Sequence, residues 1–135
     1  ESELKYLCER KTGALLRVPV LVAAAISGME GSEKAKLLLE YADTVGLAFQ
    51  IKDDILDVEG DSRLLGKATG SDAKDGKTTF VTIYGLEKSK NILKALTDQA
   101  ILACEKLLKL QTGEQEKEAC VFLRDLAIFL LERTY

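Results

Sequence analysis

Apolar residues recur at three- and four-residue spacing along almost the whole chain and hardly ever alternate with polar ones, which is the period of α-helices rather than strands. Leu4, Leu7, Leu15, Val18 and Val22 share one stripe of a first segment running roughly from Glu3 to Met29, with Lys11 set among them. Pro19 lies inside that segment and is expected to kink or break it, because proline lacks the amide donor. Gly28 and Gly31 close the segment, and Ser32 before Glu33 is a plausible N-cap for a second helix reaching about Val58. That helix is apolar almost all round and is therefore expected to be buried. From Glu59 to Thr78 periodicity gives way to Gly60, Gly66, Gly70 and Gly76 interleaved with Asp and Lys, which reads as one long loop of the functional kind. Phe80–Tyr84 is a short apolar element ended by Gly85. Leu86 to about Leu110 is amphipathic, with Ile92, Leu93, Leu96, Ala100, Ala103 and Leu107 on one face. Thr112 and Gly113 then interrupt it, and a last helix is expected from Glu118 to Arg133. With a single proline and long Ala/Leu/Glu/Lys stretches, the fold class is all-α. No repeat or linker divides the 135 residues, so residues 1–135 are read as a single helical unit.

Composition narrows the chemistry. A net charge of −3 gives no electrostatic reason to expect nucleic acid or an anionic membrane as partner. The absence of histidine removes Ser-His-Asp and Cys-His catalysis and every histidine-based metal site, leaving carboxylates as metal ligands. Three widely spaced cysteines, Cys8, Cys104 and Cys120, suggest neither a disulfide framework nor a zinc site and fit a reducing cytosol. The longest apolar run, Val18 to Ser27, is far short of a membrane span. The chain opens at Glu1, without Met and inside a helical pattern, so it is expected to be part of something longer.

Asp53 and Asp57 lie one helical turn apart on the stripe that also holds Ala42, Gly46, Phe49 and Gln50, with Asp54 between them. Carboxylates on an inward face need cations, and an oxygen-only donor set suits Mg²⁺ shared with substrate phosphates. Taken alone, this spacing also fits a solvated acidic helix end. A calcium-hand loop does not fit, since Ile55 would fall at a ligand position. Lys11, followed by Thr12 and Gly13, puts an ammonium in an apolar stripe, where it either snorkels to the surface or meets an anion. Lys67 and Lys77 lie in the glycine-rich loop, whose backbone can approach phosphate closely. Three aspartates, a lysine on another face and a Gly/Lys/Asp loop are mutually compensating charges around one site.

The ordered motifs Lys11-Thr12-Gly13-Ala14-Leu15, Gly46-Leu47-Ala48-Phe49-Gln50, Asp53-Asp54-Ile55-Leu56-Asp57, Leu65-Gly66-Lys67, Gly70-Ser71-Asp72, Gly76-Lys77-Thr78-Thr79 and Gly85-Leu86-Glu87 resemble the C-terminal half of trans-isoprenyl diphosphate synthases, especially the bacterial short-chain farnesyl and geranylgeranyl enzymes. The resemblance spans nearly the whole chain. It implies a helical fold around a central cavity, in a cytoplasmic and usually homodimeric enzyme. The implied reaction joins an allylic diphosphate head-to-tail to isopentenyl diphosphate with Mg²⁺. By matching positions, Asp53 would ligate metal, with Asp54 and Asp57 ligating or holding metal-bound water and Asp72 supporting the water shell. Lys11, Lys67 and Lys77 would contact diphosphate, Thr12 and Gln50 would aim oxygens at the developing cation, and Arg133 in the tail would be a further diphosphate contact. The family's first aspartate-rich motif and its upstream basic segment are not present, so product length cannot be read and the chain alone is expected to be inactive. The rival class is a non-catalytic helical partner retaining the fold; the Lys-Thr-Gly and Gly-Lys matches argue against a terpene cyclase relative.

Overall fold

The computed structural model describes residues 12–59 and 77–133, and every regular element among them is a helix. These are α1 (Ala14–Ile26), α2 (Glu33–Glu59), α3 (Phe80–Tyr84), α4 (Leu86–Lys109) and α5 (Glu114–Glu132). Most of the loop expected between Glu59 and Thr78 lies outside the described residues, as do Leu4, Leu7, Cys8 and Lys11.

Helix α2 is the centre of the molecule. Ile51 is fully enclosed, and Leu37, Tyr41, Val45, Ala48 and Ile55 are buried with it. Lys90 of α4 meets Glu59 at one end of α2, and Leu107 of α4 packs with Leu37 at the other, so α4 runs antiparallel to α2. Leu93, Ala100, Ala103 and Leu107 form the buried face of α4, as their spacing requires. Helix α5 runs parallel to α2: the Tyr41 hydroxyl donates to the Leu123 carbonyl at 2.7 Å, and Arg133 arrives beside Phe49 and Asp53.

Turn chemistry behaves as the sequence indicates. Gly28 and Gly31 adopt φ of 64° and 72°, and Ser32 Oγ accepts the Ala35 amide at 3.1 Å to cap α2. A reciprocal Thr79–Thr82 capping box opens α3, and Gly85, at φ 79°, separates it from α4.

Three expectations about the helices are corrected. Helix α1 runs through Pro19 without a break; the donor that proline lacks would have served the carbonyl of Leu15, which sits in a well-exposed turn where water can substitute. The inward face of α1 is not the Leu15–Val18–Val22 stripe, since these side chains are exposed, along with Leu21 and Ile26. Gly13, Leu16 and Ala24 face the protein instead. The last helix begins at Glu114 rather than Glu118, because Glu114 and Glu116 favour a helix N-terminus and the Glu116 carboxylate accepts the Gly113 amide at 3.4 Å.

The crossing of α1 over α2 is set by glycine. A Cβ added to Gly46 would lie 3.2 Å from the Cα of Gly13, so backbone meets backbone there and a side chain would have to push α1 away. Gly46→Val is expected to cost about 2 kcal/mol through overpacking, read as a lower urea midpoint. A second expectation concerns pH. Burial, then the neighbouring Cys120, pushes the Cys104 thiol up to about 11. The unfolded thiol ionises from about pH 8.5 while the folded one still holds its proton. Stability is therefore fully present below that range and falls as pH rises through it. Urea midpoints for Cys104→Ala should decline less steeply between about pH 8.5 and 11 than those of the unaltered chain.

Candidate functional site

The C-terminal turns of α2 carry Gln50, Asp53, Asp54 and Asp57 into the region where α3 and the end of α5 meet it. Burial separates the three aspartates, contrary to the expectation of one inward carboxylate face. Asp54 and Asp57 are 4% and 2% exposed, whereas the Asp53 side chain is 44% exposed. Ile51 and Ile55 drive this side of the helix into the core made with Phe80 and Leu93, and Asp54 is carried in with them.

Asp54 does two things there. One carboxylate oxygen accepts the backbone amide of Phe80 at 2.8 Å, 26 residues away, and fastens the returning chain to α2. The other accepts Nε2 of Gln50 at 3.1 Å, one helical turn back. A carboxylate can only accept, so it selects the nitrogen end of the Gln50 amide and turns Oε1 the other way. Lys77 is exposed three residues before Phe80, so the Asp54–Phe80 bond also fixes where that lysine's segment rejoins the helix.

Asp53 is paired with Arg133. The guanidinium Nη2 donates to Asp53 Oδ1, lies 3.5 Å from the Phe49 carbonyl oxygen, and stacks 4.0 Å from the centroid of the Phe49 ring. Arg133 is 13% exposed, and among the described residues its buried Nε has no hydrogen-bond partner. Burial first, and the Arg133 charge second, hold the Lys52 ammonium below its ordinary value. Neither the platform role of Phe49 nor the coupling of Lys52 to Arg133 is visible locally; a cation on an aromatic from 84 residues away has no sequence signal.

Thr12 precedes Gly13 in a wide, π-type turn that runs into α1, and the contact of Gly13 with Gly46 sets that turn one helical turn along α2 from Gln50. Of the expected site residues, the structure gathers Gln50, Asp53, Asp54, Asp57 and Arg133 around the end of α2. It places Thr12 alongside the helix and Lys77 on the approach to α3. Lys11, Lys67 and Asp72 lie outside the described residues.

Residues 1–112 match the polyprenyl synthetase family. The chain belongs to that family. Farnesyl diphosphate synthase of Escherichia coli K12 is 36% identical over 130 residues, covering 96% of this chain and 42% of that protein. A short chain isoprenyl diphosphate synthase of Methanocaldococcus jannaschii is 38% identical over 105 residues, 74% of this chain and 32% of its own length. The crystal structure of geranylgeranyl pyrophosphate synthetase from Pyrococcus horikoshii superposes with a TM-score of 0.65 at 27% identity, over 91% of this chain and 46% of that one. The chain thus spans less than half the length of these relatives.

The donor set can be tested against magnesium directly. Mg²⁺ typically takes one or two carboxylates with waters and substrate phosphates. Asp53, part-exposed on the helix surface, suits that role; Asp54 is buried and accepts a hydrogen bond at each oxygen. No group of three or more Asp, Glu, Cys or His side chains able to hold a metal occurs among the described residues.

The different duties of the two aspartates predict different losses. Asp54→Ala leaves the Phe80 amide without its buried acceptor and is expected to lower stability by about 2 kcal/mol. Asp53→Ala gives up one part-exposed ion pair and should cost less than about 1 kcal/mol. Chemical denaturation of both variants reads the contrast.

Proposed function

We propose that this chain contributes to a Mg²⁺-dependent prenyltransferase site that condenses an allylic diphosphate with isopentenyl diphosphate. The observation that carries the reading is the division of labour at the end of α2: Asp53 part-exposed and paired with Arg133, beside a buried Asp54 that holds the Phe80 amide. Family membership and the activities for which the relatives are named support it.

In this reading Asp53 is the direct metal ligand, with Asp57 behind it and Asp72 supporting the water shell. Magnesium, when bound, supplies positive charge to the diphosphate as the allylic carbon–oxygen bond breaks. Lys11, Lys67 and Lys77 bind the diphosphate. Thr12 and Gln50 direct oxygens toward the allylic carbon as it becomes cationic, the isopentenyl double bond attacks it, and the resulting cation loses a proton to the released diphosphate. Arg133 holds Asp53 while the site is empty and is released to meet diphosphate when it fills. We place the complete enzyme in the cytoplasm as a homodimer; no helix among the described residues is long and apolar enough to cross a membrane. The uncovered apolar face on α1 supports the reading that the chain alone carries out no condensation.

Calorimetric titration with a non-ionisable allylic diphosphate analogue tests this. Binding should require Mg²⁺, disappear in Asp53→Ala, and leave no condensation product when true substrates are supplied to the purified chain. Arg133→Gln should bind Mn²⁺ several-fold more tightly, since the competing cation is gone. Absence of analogue binding in a folded sample would instead favour the non-catalytic helical partner.

A further inference from the structure

We propose that Asp54 is a positioning residue for the reaction: it sets which end of the Gln50 amide faces the allylic carbon. This presupposes the role of Gln50 beside the developing cation. An amide side chain is ambivalent, since rotating its terminal torsion by a half-turn exchanges a carbonyl oxygen for an NH₂ group at almost no steric cost. Only one of these orientations helps a nearby positive charge; the other puts two N–H dipoles against it. Something must choose between them.

Asp54 makes that choice through a short chain of donors and acceptors. The Phe80 backbone amide donates to one oxygen of Asp54 at 2.8 Å, and because a backbone N–H can only donate, this end of the side chain must be an acceptor. The carboxylate accepts at its other oxygen too, and there it takes Nε2 of Gln50 at 3.1 Å. Oε1 of Gln50 is left on the opposite side. Asp54 is 4% exposed and α2 is packed around Ile51 and Ile55, so water has little access with which to scramble the arrangement. The polarity of the Gln50 oxygen is thus inherited from a backbone amide 30 residues further along the chain.

Asp54→Asn separates this role from a merely structural one. Phe80 still requires an acceptor, so the carbonyl oxygen of the substituted amide turns toward it and that amide's NH₂ faces Gln50. Gln50 must then rotate to accept, and its own NH₂ swings to the side where the cation forms. The packing and the Phe80 bond survive while the dipole is reversed.

The measurement is a ratio of affinities, taken with Mg²⁺ on the whole chain. One probe is an allylic diphosphate analogue carrying an ammonium where the cation develops; the other is a neutral, sulfur-bridged analogue of the same shape. The unaltered chain should prefer the ammonium probe by about tenfold or more, and Asp54→Asn should bring the two affinities to within about twofold. The double variant Asp54→Asn/Gln50→Glu restores an oxygen on both sides and should recover the preference. Equal weakening of both probes in Asp54→Asn, or an unchanged ratio, would overturn the positioning role while leaving the function intact. Failure of the unaltered chain to bind either probe would overturn the proposed function itself, and the positioning role with it.

Discussion

A helix buried on most of its circumference cannot stand alone, and α2 makes every other element necessary. Its inner residues need apolar cover from several directions, and α4, α5, α1 and α3 supply it in turn. Because those neighbours converge on the same helix, their ends converge as well. Residues from chain positions near 12, 50, 80 and 133 therefore meet at the C-terminal half of α2 without any of them being close in sequence.

The site follows from how deeply each turn of α2 is submerged. Residues 51 and 55 are drawn inward by Phe80 and Leu93, and that rotation leaves Asp53 at the water boundary while Asp54 goes under. Adjacent carboxylates thereby acquire different chemistry. One stays part-exposed and paired with Arg133, and the other becomes part of the frame.

Much of this architecture is legible where the controlling forces are local. Ser32, Gly28, Gly31 and Gly85 mark helix ends through capping and backbone conformation, and the helical spacing of Leu93, Ala100, Ala103 and Leu107 marks the buried face of α4. The motif that contains Gln50 and the three aspartates can also be picked out, since carboxylates at that spacing on an apolar helix need explanation. What the sequence hides is long-range. The stripe through Leu15, Val18 and Val22 is a sound helical face, but periodicity does not say whether a neighbour is present to cover it, and the closer packing offered by Gly13 against Gly46 decides the orientation of α1. Similarly, no spacing rule links Asp54 to an amide at Phe80 or Asp53 to a guanidinium 80 residues away.

The bond from Tyr41 to the Leu123 carbonyl acts as a keyway between two parallel shafts. It fixes the rotational phase of α5 relative to α2, and Arg133 lies ten residues beyond that point. Each residue of an α-helix advances about 1.5 Å and turns about 100°. A single insertion or deletion between Leu123 and Arg133 would therefore carry the guanidinium more than a quarter-turn out of alignment, even if every hydrophobic contact nearer the key were kept. The length of the final helix is for this reason a component of the site at its far end.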